Sequence, residues 1–191
     1  HIRVFNNKSI DNDTDNFAPE GNIVGEVPRG TGIIIMANSD VEIFNNLMSG
    51  NGTVNLSIVS YGDETDDPNY YPHPKNIQVH GNTYGPSGFD PDIETGDLAK
   101  VLYEISGGNM PDIFWDGIVP LPQIIFGQPN DEKLTIVERD ASFLTIKPIK
   151  YMLGFSDPTN TDKNDFRGEI SPLKEIKICL LYTSPSPRDD E

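Results

Sequence analysis

Three segments of the chain carry almost the same phrase: IRVFNN at residues 2–7, VEIFNN at 41–46 and IQVHGN at 77–82. Each alternates β-branched and polar residues, and each ends with a ring, then Asn or Gly, then Asn. Such alternation predicts a short strand, and Asn and Gly are typical of the turn that follows one. The recurrence, at spacings of 39 and 36 residues, therefore indicates a repeat fold in which equivalent strands stack on one another.

The segment 32–61 indicates the size of the repeating unit. Runs rich in β-branched residues at 33–35, 41–43 and 54–59 are separated by small and Asn-rich turns. From Gly32 to Val54 is 22 residues, which is the length of one three-stranded coil of a parallel β-helix. We therefore expect an all-β fold, a right-handed parallel β-helix. The alternative is an antiparallel sandwich whose hairpins share Asn-Gly turns.

Stacked coils predict ladders of equivalent side chains, because neighbouring strands lie only about 4.8 Å apart. The repeated phrase supplies two such sets: Phe5, Phe44 and His80, and Asn7, Asn46 and Asn82. Rings at one position can stack, and Asn at the other can adopt a left-handed backbone and bond a neighbouring Asn. We expect both sets to be structural ladders that turn and bind successive coils.

The segment 95–108, TGDLAKVLYEISGG, predicts a helix near 97–106 that packs on the coils. Its residues Leu98, Val101, Leu102 and Ile105 follow the spacing of one helix face. Thr95 or Asp97 suits the start of the helix, and two glycines suit its end.

Two further segments are expected to be ordered. The segment 112–117, DIFWDG, is predicted to anchor the helix with Phe114 and Trp115. Residues 133–147 are predicted to form a late pair of strands with a turn near Asp140 and Ala141.

The termini indicate a fragment. Residues 179–189, CLLYTSPSPRD, match the in-frame translation of a transposase adapter used in sequencing libraries. We therefore interpret 179–191 as non-biological, and the chain's one Cys lies within it. Residues 1–178 are interpreted as one partial β-helix domain, the C-terminal portion of a longer protein, in which the repeat is least evident over 121–178.

The charge excludes some partners. The chain has 30 Asp and Glu against 14 Lys and Arg, a net charge of −16. So acidic a surface repels nucleic-acid phosphates and anionic membranes. No apolar run approaches the roughly 20 residues of a membrane-spanning helix. We therefore expect no nucleic-acid partner and no membrane span.

Several longer stretches resemble a known family. GEVPRGTGIIIMANSDVEIFNN, SIVSYGDETDDPNYYPHPKNIQVHGNTY and PDIFWDGIVP, in that order, are similar to the parallel β-helix repeat-containing family with the pectin-lyase-like fold. The resemblance covers about residues 22–120. It implies a bacterial protein in the periplasm or outside the cell, and it implies a fold that often cleaves or epimerises acidic polysaccharides.

The loop 61–76, YGDETDDPNYYPHPKN, holds the candidate binding residues. Tyr70, Tyr71 and His73 could stack on a sugar or act in proton transfer. In one hypothesis the protein is a non-catalytic scaffold that presents this loop to a glycan or to a protein of the cell envelope.

The second hypothesis is a polysaccharide lyase or epimerase. Elimination from a uronate needs a base and a group that neutralises the carboxylate, which is usually Ca²⁺ held by acidic side chains. The candidate Ca²⁺ ligands are Asp63, Asp66 and Asp67, and the candidate bases are Arg29 and Lys75.

Overall fold

The computed structural model describes residues 1–19, 21–62 and 67–171. Its strands are β1 (Ile2–Phe5), β2 (Lys8–Ile10), β3 (Thr31–Met36), β4 (Ser39–Phe44), β5 (Leu47–Ser49), β6 (Val54–Val59), β7 (Lys75–His80), β8 (Thr83–Tyr84), β9 (Ile113–Trp115), β10 (Leu134–Val137), β11 (Phe143–Ile146) and β12 (Thr159–Asn160). Its α-helices are α1 (Asp97–Ser106), α2 (Leu121–Phe126) and α3 (Pro148–Met152), and short 3-10 helices cover Ile23–Glu26 and Lys163–Phe166.

The described strands form three sheets that the chain visits in rotation. The first sheet has the order β1-β4-β7-β10, the second β2-β5-β8, and the third β12-β11-β9-β6-β3. Neighbouring strands are parallel throughout, except for the antiparallel pair of β11 and β12. Each circuit of the three sheets therefore lies against the previous one. The fold is mostly β and is built of parallel sheets.

The repeated phrase lies in register in the first sheet. Val4 pairs with Ile43 and Ile43 with Val79, while the rings that follow them pair in the same way. Ile43 and Val79 are fully buried, and Val4 packs against the same interior cluster. This common interior is what the alternation of β-branched and polar residues predicted, because period-two alternation sends every second side chain to one face.

The prediction of which strands make one circuit was wrong in one place. The predicted coil length, 22 residues from Gly32 to Val54, is close to the observed repeat of 23 between Thr31 and Val54, but the three runs named in this segment are not the three strands of one circuit. Instead β6 stacks on β3, with Thr31 opposite Val54, so it opens the next circuit. The third strand is β5, which was missed because three residues are too few to show a period.

The helix prediction is confirmed with its bounds, and only the residue at its N-cap is corrected. Helix α1 follows Gly96, which has no side chain to cap it. Asp92 acts just before the helix, where its carboxylate accepts hydrogen bonds from the Thr95 backbone N–H and hydroxyl at 3.3 and 2.6 Å. Gly107, with φ of 62°, ends the helix in a left-handed conformation.

Helix α1 packs on the outer face of the third sheet. Leu102 contributes to a cluster with Phe114, Val54, Val59 and Leu144. Phe114 therefore anchors the helix as expected. Trp115 does not, because successive residues of a strand face opposite sides. It belongs to the interior cluster, where it meets the ring of Phe166 edge-on at 5.5 Å.

Strands β10 and β11 are present but do not pair with each other. Leu134 of β10 lies opposite Ile77, while Phe143 of β11 lies opposite Ile113. The turn between them is thus a corner between two sheets and not a hairpin. Within the residues described, the helices are too short or too polar to cross a membrane. The proposed adapter segment, 179–191, lies outside the described residues.

Candidate functional site

The two residues that end the repeated phrase have different roles. The first takes the left-handed backbone of the turn: Asn6 has φ of 56°, Asn45 of 55° and Gly81 of 63°. Asn and Gly are the residues that adopt this conformation at least cost. The sequence prediction attached both the turn and the ladder to the second residue, and the structure separates them.

The second residue forms a hydrogen-bonded ladder. The backbone and side-chain N–H groups of Asn7 both donate to Asn46 Oδ1 at 3.0 Å. Those of Asn46 donate in the same way to Asn82 Oδ1 at 2.9 Å. Those of Asn82 donate to Glu138 Oε1 at 3.1 and 2.8 Å. The ladder therefore ends on a carboxylate in the fourth circuit.

The rings of the repeated phrase stack face to face. Phe5 and Phe44 have centroids 5.0 Å apart and planes inclined by 5°, and Phe44 and His80 are 5.3 Å apart at 4°. His80 Nε2 also lies 3.2 Å from Glu42 Oε1, while Arg3 Nε donates to Glu42 Oε2 at 3.1 Å. His80 thus continues a structural stack between Phe44 and a buried acid.

Several of the predicted binding residues meet at the end of the third sheet. Ser60 follows β6 and Asp116 follows β9, and these strands are neighbours, so their carboxyl ends coincide. The Ser60 backbone N–H donates to Asp116 Oδ2 at 2.6 Å, and that of Ile118 donates to Oδ1 at 3.0 Å. The Ser60 hydroxyl lies 3.1 Å from His73 Nδ1. Sheet order thus connects His73 to a buried acid.

The same contacts continue to Lys75. The ring of Tyr71 meets that of His73 edge-on, with centroids 5.5 Å apart. Lys75 Nζ lies 4.7 Å from the centroid of the Tyr71 ring and 3.7 Å from a carboxylate oxygen of Glu132. We call the contiguous set Ser60, Tyr71, His73, Lys75, Asp116 and Glu132 the corner cluster. Tyr70 lies next to Tyr71 in the chain, and its hydroxyl donates to the Tyr61 carbonyl at 2.6 Å.

Burial sets the ionisation of the corner cluster. It raises the pKa of Asp116 to about 6, against the opposing effect of the hydrogen bonds from Ser60 and Ile118. It lowers the pKa of His73, which favours the neutral ring. It also raises the pKa of Tyr71, with a further contribution from Glu132. The cluster therefore combines a neutral imidazole with a carboxyl group that titrates near neutral pH.

Asp116 makes stability depend on pH. Its pKa is higher in the folded state than the usual value near 3.9 of an unfolded chain, so the folded state binds the proton more tightly. That contribution is fully present below the unfolded pKa and is lost as the pH rises through about 6. Between about pH 4.5 and 7.5 the loss of this contribution to the free energy of unfolding amounts to roughly 2 kcal/mol.

As the pH rises from about 4.5 to 7.5, the free energy of unfolding should therefore fall by about 2 kcal/mol more in the parent chain than in Asp116→Asn. Denaturant unfolding at the two pH values measures the difference. Asp131→Asn removes an exposed carboxylate and controls for net charge; it should behave as the parent chain does. Equal pH dependence in the parent chain and Asp116→Asn would contradict the assignment.

The other predicted residues lie apart from the corner cluster or outside the described residues. Arg29 Nη1 donates to Asp90 at 2.8 Å, and Arg29 Nε lies 3.4 Å from Asp15. The hydrogen bond to Asp90 raises the pKa of Arg29, which is unfavourable in a general base. Asp67 accepts a hydrogen bond from the Asn69 backbone at 2.8 Å.

The calcium hypothesis depends on residues beyond those described. Asp63 and Asp66, two of its three ligands, lie outside the described ranges. Within 1–19, 21–62 and 67–171, no group of three or more His, Cys, Asp or Glu side chains is placed to hold a metal ion.

Sequence reasoning missed a second polar site beside the end of the Asn ladder. A cavity of about 710 Å³ is lined by 81–84, 137–141 and 167–168. Glu138 lies in it with only 7% of its surface exposed. Burial raises the pKa of Glu138, opposed by hydrogen bonds from Asn82 and Tyr84. The signal in the sequence was an acid directly after a strand of the repeat, where the earlier circuits have Asn or Gly.

Comparison of the chain with protein-family models, with curated proteins and with solved structures gave no match.

Proposed function

We propose that this chain is part of a right-handed parallel β-helix of the pectin-lyase-like type that serves as a glycan-binding scaffold outside the cytoplasm. The rotation of the chain through three parallel sheets and the two ladders support the fold. The resemblance noted in the sequence supports the family. The fold alone does not specify a function, so the binding proposal depends on the corner cluster.

The observation that carries the proposal is the partly exposed ring of Tyr71 with a cation and an imidazole beside it. Aromatic rings present apolar faces to the C–H surface of a sugar, while neighbouring polar groups bond its hydroxyls. The contacts of Ser60 with His73 and of Tyr70 with the Tyr61 carbonyl hold these residues in place before a ligand arrives. Such preorganisation lowers the entropic cost of binding.

Binding to a panel of immobilised polysaccharides tests the proposal. We expect Tyr71→Ala to weaken binding at least about tenfold, because the contact face of the site is removed. Tyr151→Ala, which truncates an exposed ring on α3, is the matched control and should bind as the parent chain does. Absence of glycan binding by the parent chain, or equal binding by Tyr71→Ala, would overturn the proposal.

A second candidate function is a lyase or epimerase acting on uronate-containing glycans. The observation that favours it is that one cluster contains Lys75, His73 and the buried acid Asp116, which are linked through Tyr71 and Ser60. Such a cluster has groups able to take and return a proton near neutral pH. The candidate needs a cation for the uronate carboxylate, and Ca²⁺ on Asp63, Asp66 and Asp67 is the proposed source.

Turnover distinguishes the two functions. The protein is incubated with uronate polysaccharides with and without Ca²⁺, and unsaturated products are followed by ultraviolet absorbance and epimerised products by NMR. Calcium-dependent product that Lys75→Gln abolishes supports the enzyme. Binding without product supports the scaffold.

We also propose that the full-length protein is exported to the periplasm or beyond, where a polysaccharide or an envelope protein is its partner. The acidic charge and the family resemblance support this location. Recovery of the complete gene checks it, and a full-length gene product without an export signal would contradict it.

A further inference from the structure

The carboxylate of Glu138 is buried, and only one of its two oxygens accepts hydrogen bonds from the described residues. Every hydrogen bond that it accepts from the described residues arrives at Oε1: two from Asn82, and one from the Tyr84 hydroxyl at 3.3 Å. Within the described part of the chain Oε2 accepts none, and Glu138 makes no ion pair. Buried carboxylates in proteins are generally paired with a cation. Among the described residues, the enclosed side-chain polar atoms that lack a hydrogen-bond partner do not include Oε2, so this oxygen opens to the adjoining cavity, where a positively charged donor can reach it.

Two arginines line the same cavity, and neither has a partner among the described residues. Arg139 directly follows Glu138, and Arg167 lies on the opposite segment. Neither guanidinium has a hydrogen bond or an ion pair to the described residues. Guanidinium groups bind planar carboxylates through two parallel hydrogen bonds. The cavity thus presents a site for a ligand carboxylate beside a site for a ligand cation.

The charges of the cavity sum to zero although the chain is strongly acidic. Glu138 and Asp140 balance Arg139 and Arg167, whereas the whole chain carries −16. A neutral lining made of opposite charges is complementary to a ligand that is itself neutral and carries both signs.

The walls of the cavity are held together by the protein itself. Lys163 Nζ donates to the carbonyls of Arg139 and Ala141 at 2.8 and 2.6 Å. It belongs to the 3-10 helix just before Arg167, so it ties one wall to the other. Gly168 lies against Thr135, where an added Cβ would come within 3.2 Å. The cavity is therefore formed before a ligand enters.

From these observations we propose that the cavity binds a free α-amino acid. The ligand ammonium group donates to Glu138 Oε2, and its carboxylate is held by Arg139 and Arg167. The volume of about 710 Å³ leaves room for the side chain of the amino acid. This site is separate from the corner cluster and does not depend on the proposed glycan binding.

The test is calorimetric titration of the full chain with each of the common L-amino acids. We expect at least one of them to bind. Its N-acetyl derivative, which lacks the ammonium group, and its amide, which lacks the carboxylate, should each bind at least about tenfold more weakly. Absence of binding by every amino acid, or equal binding by either derivative, would overturn the proposal.

Two variants locate the site, and two more serve as controls. Glu138→Gln keeps the Oε1 acceptor for Asn82 and Tyr84 but removes the negative charge, and it should weaken binding about tenfold or more. Arg167→Gln alters an exposed residue, so it should fold normally and also weaken binding. Lys100→Gln, which alters an exposed residue of α1, and Tyr71→Ala should both bind the amino acid as the parent chain does. Parent-like binding by Glu138→Gln and Arg167→Gln would contradict the proposed site.

Discussion

Replacing Asn46 with Ala is expected to lower the free energy of unfolding by about 2–4 kcal/mol. Asn46 is 1% exposed, and its amide takes part in four hydrogen bonds. Its Oδ1 accepts two from Asn7, and its Nδ2 donates to Asn82 Oδ1 and to the Val4 carbonyl. Removing the amide leaves a void at an enclosed position and takes the donor from the half-buried Val4 carbonyl and the acceptor from two Asn7 N–H groups, whereas Asn82 Oδ1 keeps the Asn46 backbone N–H. Each unsatisfied buried group costs about 1–3 kcal/mol.

Asn7→Ala is the matched control for this prediction. Asn7 occupies the same position in the first circuit but is exposed, so water replaces the lost partners. We expect its loss of stability to stay below about 1 kcal/mol. Denaturant unfolding of both variants gives the comparison. Equal losses in the two variants would contradict the argument that burial makes the ladder hydrogen bonds of Asn46 stabilising.

Replacing Phe114 with Ala is expected to cost about 3–5 kcal/mol. Phe114 is fully buried between the outer face of the third sheet and α1, where it packs in one cluster with Leu102 and Leu144. Truncation removes apolar contact area and leaves a cavity that the sheet and the helix cannot fill by moving together. We expect α1 to become less protected, because Phe114 is its main aromatic contact.

Hydrogen exchange and denaturant unfolding measure these two effects. Amide protection should fall most in α1 and in β9, with smaller changes in the first sheet. Phe126→Ala, which truncates a ring that is 86% exposed, should change stability by no more than about 0.5 kcal/mol. A loss in Phe126→Ala as large as that in Phe114→Ala would contradict the packing argument.

The candidate sites were only partly predictable from the sequence. Tyr71, His73 and Lys75 could be named because they lie within one short loop, and the structure brings them into contact. Asp116 could not be named from its local sequence. It meets Ser60 only because β6 and β9 are neighbours in a parallel sheet, 56 residues apart along the chain.

Arg29 shows the opposite case. It was proposed as a base because elimination from a uronate needs a basic side chain and Arg29 is one that this chain offers. The fold instead gives it Asp90 and Asp15 as partners. Which acids surround a cation depends on how loops far apart in the chain fold over one another, and local sequence holds little information about that.

The sequence alone determined the features that depend on local conformation and on period. Alternating β-branched residues specified the strands of the first sheet, the spacing of Leu98 and Leu102 specified α1, and equal spacing placed the ladder residues in one register. Only the tertiary structure decided that Glu138 would end the Asn ladder and that Arg167 would lie across a cavity from it. The physical reason is that these contacts join circuits and a C-terminal segment whose relative positions are set by packing of the whole interior. The period of the sequence predicts which equivalent residues stack on one another. It holds no information about which residues of other segments contact the last circuit.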